Sequence, residues 1–258
     1  MNDELNKALA RIGMRASSDA LRTFLTHAIK MRLGPTEVVE GLVALEIHER
    51  EARNLANRMR CASLSTFPSL DSFDWNHPRH IDRDLYEFLL SLEPIKRAEN
   101  VLFRGPSGVG KTMLAKNLGL RALQHGKSVV FSTLAAALHD LLRQESIPAT
   151  ERRLKRYTLP DLLILDELGY LPCDNRSADL LYNVISRRHE HKTTVITTNL
   201  SFKQWTTVFP GAACVGALVD RFASRCHILD IEADSWRQKH ALSLNPSKPT
   251  NTPNQPNG

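Results

Sequence analysis

Residues 105–112 read Gly-Pro-Ser-Gly-Val-Gly-Lys-Thr, and no other stretch constrains the fold as tightly. The pattern G-x-x-x-x-G-K-[ST] is a phosphate-binding loop. It is flanked as that loop requires. Val101-Leu102-Phe103 predicts a short buried strand before it, and Met113 to Gln124 predicts a helix after it. The glycines let the backbone curl so that successive N–H groups point inward at an anion, and the helix N-terminus adds its partial positive charge. Gly105, Pro106, Ser107, Gly108, Val109, Gly110, Lys111, Thr112 and Met113 are therefore expected to enclose a nucleotide's phosphates. Lys111 would reach the β- and γ-phosphates, and the Thr112 hydroxyl would sit on Mg²⁺.

A phosphate loop predicts binding; hydrolysis needs a base. Leu162-Leu163-Ile164-Leu165-Asp166-Glu167 is an apolar run ending in two carboxylates. Such a run suits a central parallel strand covered on both faces, whose C-terminal end opens at the ligand crevice. Asp166 is expected to hold Mg²⁺ there, directly or through water, and Glu167 to polarise the attacking water. Thr193-Thr194-Val195-Ile196-Thr197 is β-branched and strand-like, with Thr198-Asn199 at its tip. If that strand neighbours the loop strand, Asn199 contacts the attacking water or the γ-phosphate; otherwise it caps the turn before Ser201.

These residues resemble an AAA+ ATPase. The run Asp166-Glu167-Leu168-Gly169-Tyr170-Leu171-Pro172 is similar, more narrowly, to the IstB/DnaC group, and within it to the IstB helpers of insertion-sequence transposition. Glu99-Asn100-Val101, Thr197-Thr198-Asn199, Val219-Asp220-Arg221-Phe222 and Asp234-Ser235-Trp236-Arg237 fit the same group, so the likeness spans roughly residues 67 to 242. It implies ATP with Mg²⁺ held between neighbouring subunits. Arg221 would be the arginine finger supplied in trans, with Arg225 the other candidate, and Arg237 would touch nucleotide in cis. Either finger candidate could instead pair with Asp220 or Asp230.

The remaining chain sets the frame. Hydrophobic residues at 42% and charged at 24% are ordinary globular values. No apolar run is long enough for a membrane helix, no secretory pattern opens the chain, and Cys61, Cys173, Cys214 and Cys226 form no C-x-x-C pair. A cytoplasmic protein is expected. Residues 1–66 predict a small helical domain for partner docking or self-association. Ser17-Ser18-Asp19 would cap one helix, and Thr36 a longer one whose stripe is Val38, Leu42, Leu45, Ala52, Ala56 and Met59. Residues 66–80 read as a linker in which Phe73 and Trp75 either shield the base or simply pack. Strands near 100–104, 128–132, 161–165, 193–197 and 227–231 alternate with helices. That order predicts an α/β fold with a five-stranded parallel sheet and a reduced or absent lid in an ATPase domain over 67–244. The tail 245–258 reads as disordered.

Net charge is +6, with Arg152, Arg153, Lys155 and Arg156 concentrated in five residues. These four are expected either to contact DNA phosphates, positioning a duplex without reading its sequence, or to form a solvated helix face. Together the features predict a DNA-stimulated ATPase. It would oligomerise on duplex target DNA, remodel it, and recruit or regulate an IstA-like transposase. A helicase loader acting with single strands and a non-hydrolysing ATP-bound scaffold are the competing expectations.

Overall fold

The computed structural model describes residues 3–169 and 174–236. The expectations for Arg237, for Tyr170-Leu171-Pro172, for the tail 245–258 and for a lid beyond Trp236 lie outside them. One compact unit ends at Ala62 and a second begins at Ser63. No helix among the described residues is long and apolar enough to cross a membrane.

The first unit is three helices: α1 (Asp3–Arg11), α2 (Ser18–Met31) and α3 (Pro35–Ala62). The Ser17 side chain accepts from Ala20 N–H, a normal N-cap. The α3 start differs from expectation. Pro35, not Thr36, opens the helix, because its fixed φ and missing N–H suit the first position, and the Glu37 carboxylate reaches back to Gly34 N–H at 2.7 Å. The stripe also diverges. Val38, Leu42 and Leu45 are half-buried, while Ala52, Ala56 and Met59 are exposed. Beyond Leu45 the inward face of α3 turns polar. Glu46 is buried and accepts from Arg15 N–H at 2.7 Å, and Arg50 and Arg53 bind the carbonyls of Gly13 and Arg15. Desolvation would raise the Glu46 pKa, but backbone N–H groups and the two guanidiniums together hold it below the ordinary range.

The second unit follows strand–helix alternation: β1 (His80–Ile81), α4 (Arg83–Leu90), α5 (Glu93–Lys96), β2 (Asn100–Arg104), α6 (Lys111–Gln124), β3 (Val129–Thr133), α7 (Leu134–Leu142), α8 (Ile147–Thr158), β4 (Leu162–Leu168), α9 (Asn175–Arg188), β5 (Thr193–Thr198), α10 (Trp205–Val208), α11 (Val215–Ala223) and β6 (Cys226–Glu232). The strand order is β1-β6-β2-β5-β4-β3. The five expected strands are mutually parallel. The sixth, β1, is a two-residue antiparallel edge on β6, set in the stretch expected to be linker. Two residues carry no periodicity, so β1 is invisible to pattern reading.

The pleat sends alternate residues of β4 to opposite faces. Leu163 and Leu165 join a core with Leu138, Leu141, Leu181 and Val184 of α7 and α9. Ile164 points the other way, toward α6, where a Cβ on Gly119 would come within 2.9 Å of its side chain. Asn199 follows β5, the neighbour of the phosphate-loop strand β2, which is the adjacency the sensor expectation required.

Arg188 closes the sheet's lower edge. It is 1% exposed, and its guanidinium donates to Thr194 Oγ1 and to the carbonyls of Tyr157, Thr158, Pro160 and Thr193. It thereby caps the C-terminus of α8. Replacing it with alanine strands those carbonyls in a dry site. Arg188→Ala should cost about 1–3 kcal/mol, the range for leaving buried acceptors unsatisfied, read as a fall in the urea midpoint. A loss under about 1 kcal/mol would contradict this account.

Candidate functional site

The phosphate loop runs from β2 into α6 at the C-terminal edge of the sheet. Gly110 takes φ +98°, and a Cβ there would sit 2.6 Å from the Phe73 ring. Gly108 takes φ +82°, and a Cβ there would strike Ser235 Oγ. Both positions thus need glycine twice over, for the left-handed turn and for close approach. The Lys111 ammonium donates to the carbonyls of Gly105 and Pro106 at 2.7 and 2.6 Å, which holds it over the loop.

Asp166 is 4% exposed and is the meeting point of three elements. Thr112 Oγ1 of α6 donates to its two oxygens at 2.9 and 3.0 Å. Thr197 Oγ1 of β5 also donates to Asp166 Oδ1. The same Thr197 oxygen accepts the Glu167 N–H at 3.0 Å. The β4–β5 ladder shifts register between Leu165 and Leu168, and Glu167 takes φ +65°. For a non-glycine residue that conformation costs on the order of 1–3 kcal/mol, and such residues concentrate at functional sites. The bulge turns the Glu167 side chain out of the strand and into the cleft.

The cleft has a volume of about 430 Å³. Residues 107–113, Glu167 and Asn199 line it, so the structure brings together most of the expected site residues. Phe73 lines it too, whereas Trp75 packs on Tyr86 at 5.6 Å with the Arg83 guanidinium over its ring. Of the two aromatic candidates, Phe73 alone faces the cleft. Arg221 does not line it. Its guanidinium stacks 4.8 Å from the Tyr182 ring and donates to Ser186 Oγ, both on α9. Arg225 lies 3.6 Å from Glu99, beside the opening of β2, at the opposite sheet edge from the phosphate loop.

Three contributors escaped sequence reasoning. Thr197 stands in the Thr197-Thr198-Asn199 run, but nothing in that run assigns its hydroxyl to Asp166. Trp236 lines the cleft, its backbone N–H donating to Gly108 O at 3.2 Å and its ring edge-on to His77 at 4.8 Å. Lys116 lines it one turn beyond Thr112, a spacing that puts both on one helix face. Desolvation pulls the Lys116 ammonium below the ordinary lysine range, and the Asp166 carboxylate opposes that shift.

The residues fit the groups they are expected to hold. The loop turns through left-handed Gly108 and Gly110 along the wall of the 430 Å³ cleft, where its N–H groups can meet a phosphate. Thr112 and Asp166 converge hard oxygen donors of the kind Mg²⁺ takes together with phosphate oxygens.

The basic cluster lies on α8. Arg152, Lys155 and Arg156 are exposed. Arg153 is held by Asp140 at 2.5 Å, and that carboxylate also takes the Tyr157 hydroxyl at 2.7 Å.

Comparison with known proteins agrees with this geometry. Residues 7–243 match the family described as IstB-like ATP binding protein. The chain is 32% identical to the ATP-binding protein of insertion sequence IS21 from Pseudomonas aeruginosa, over 92% of this chain and 89% of that one. It is 30% identical to that of IS5376 from Geobacillus stearothermophilus, covering 92% and 94%. Among solved structures, DnaI superposes with a TM-score of 0.54 at 19% identity, over 65% of this chain and 92% of that one. A DNA replication initiation factor superposes with a TM-score of 0.53 at 19% identity, over 68% of this chain and only 54% of that one. These last two establish a shared fold.

Proposed function

From the premise that this chain belongs to the IstB-like ATP binding protein family, we propose that it is an ATPase that assembles on duplex DNA and serves a transposase. The observation that carries the reading is the convergence of Thr112, Asp166, Thr197 and Glu167 beside the phosphate loop. A purely structural ATP site has no need of a strained carboxylate aimed into the cleft, and this disfavours a non-hydrolysing scaffold.

In this mechanism the loop N–H groups and Lys111 bind the β- and γ-phosphates of ATP. Thr112 and Asp166 would hold Mg²⁺, whose charge would offset that of the phosphates. Glu167 accepts a proton from the attacking water, and Asn199 orients that water. Thr197 fixes the Asp166 carboxylate and the Glu167 backbone, which limits reorganisation during the reaction. Arg221 serves a neighbouring subunit's site, which accords with its place outside its own cleft. ATP bound between subunits favours assembly by mass action, and hydrolysis releases it.

Mixing two variants tests the shared site. Arg221→Ala and Lys111→Ala should each lose about 10³-fold in turnover, the scale of a missing finger or phosphate clamp. Mixed, they should regain activity, because one supplies an intact phosphate loop and the other an intact finger. Full activity of Arg221→Ala alone, or no recovery on mixing, would contradict a finger in trans.

For DNA, we assign phosphate contacts to Arg152, Lys155 and Arg156, which are exposed on one helix. Arg153, fixed on Asp140, contributes little. Changing the three to alanine should make the slope of log affinity against log salt shallower by about 2–3, at roughly 0.9 per phosphate contact. An unchanged slope excludes α8 from the DNA interface.

A further inference from the structure

Residues 63–68 follow the first unit directly and open the second. This segment is latched onto the first two turns beyond the phosphate loop. Leu64 is buried, with a methyl group 3.4 Å from where a Cβ on Gly119 would lie. Lys116 Nζ donates to Ser65 Oγ at 2.9 Å, and Asn117 Nδ2 donates to Pro68 O at 3.2 Å. On the other side Arg156 of α8 donates to Ser63 Oγ at 3.3 Å. Ser63 and Ser65 both take left-handed backbone, φ +58° and +53°, which L-residues adopt at a cost. The latch therefore holds a strained segment.

Lys116 is an unusual latch. It is 8% exposed, and its ammonium sits 4.4 Å from the Phe131 ring centroid and 5.8 Å from that of Phe67. Among the described residues its hydrogen-bond acceptor is the neutral Ser65 oxygen, which already donates its own proton to Leu64 O at 2.6 Å. The Asp166 carboxylate acts on this cation only through space, and with aromatic faces and a neutral acceptor besides, desolvation still outweighs its compensation. The ammonium would gain more from an anion than from Ser65. Lys116 also stands one helical turn beyond Thr112, on the face where Thr112 meets Asp166.

We propose that Lys116 is a positioning residue that distinguishes nucleoside triphosphate from diphosphate and reports the difference to residues 63–68. The extra charge of a terminal phosphate draws the ammonium away from Ser65, and the strained segment lets go. With a diphosphate the ammonium stays on Ser65 and the segment stays latched. The inference rests on the nucleotide site proposed above. It adds a nucleotide-sensing role for a residue outside the phosphate loop, at the join between the chain's two units.

The test is amide hydrogen exchange of residues 63–67 in the full chain with Mg²⁺ and either ADP or a non-hydrolysable ATP analogue, alongside calorimetric affinities for both. In the wild type the segment should exchange about tenfold faster with the ATP analogue, within the usual range of coupling between sites. Lys116→Met should exchange fast with either nucleotide and lose about tenfold of the preference for triphosphate. Lys116→Arg should restore both properties in part. Should Lys116→Met fail to fold, Ser65→Ala serves instead, with the ADP-bound segment expected to loosen. A wild-type segment that exchanges equally with both nucleotides, or a nucleotide-dependent difference that survives in Lys116→Met, overturns the inference while leaving the ATP site intact. Absence of wild-type binding to either nucleotide would instead overturn the site itself, with Lys111→Ala as the matched blank.

Discussion

The second unit is organised around what happens at one carboxylate. Asp166 takes hydrogen bonds from Thr112 on the phosphate-loop helix and from Thr197 on the neighbouring strand. A charge only 4% exposed is costly unless it is so paired. That requirement fixes α6, β4 and β5 relative to one another where the phosphate loop lines the cleft. The Thr197 hydroxyl does two things at once, donating to Asp166 and accepting from Glu167 N–H. It thereby replaces the ladder bond that the β4 bulge gives up, and the bulge turns Glu167 toward the cleft.

The strain at Glu167 and the pairing of Asp166 are two sides of one arrangement. An unbroken β4 would alternate its side chains, sending Asp166 and Glu167 to opposite faces. The left-handed residue breaks that alternation and leaves two adjacent carboxylates with separate roles, one buried and paired, the other exposed in the cleft. The compensating energy comes from the packed strands around it. Leu163, Leu165 and Ile196 are all 2% exposed or less, so the bulge is held in a frame that cannot easily relax.

Much of this was legible in the residues. The phosphate loop, the apolar β4 run and the β5 tip follow from chemistry that a triphosphate imposes on local sequence, and the parallel sheet follows from strand–helix alternation. Thr197 was not legible in its role, because a threonine in a β-branched strand looks like any other until β5 is seen beside β4. The two-residue β1 lacks the length to show a period. On α3 the apolar pattern suggested a stripe resuming after an interruption at Glu49, but Glu46, Arg50 and Arg53 form a polar network past Leu45. The spacing of Ala52, Ala56 and Met59 therefore misled. Arg153 reads as one of four surface cations, and only the fold reveals Asp140 beside it. The misses are tertiary, and the hits are local.

On the proposed function, ATP held between subunits of this chain drives assembly on duplex DNA. Electron microscopy of the purified protein with a long duplex and a slowly hydrolysed ATP analogue tests it most directly, with single-stranded DNA and nucleotide-free samples as controls. Ordered oligomers should form on the duplex and vanish without nucleotide, with Arg221 of each subunit at its neighbour's phosphate loop. Assembly confined to single strands, or duplex coating that ignores nucleotide, would contradict the proposed function.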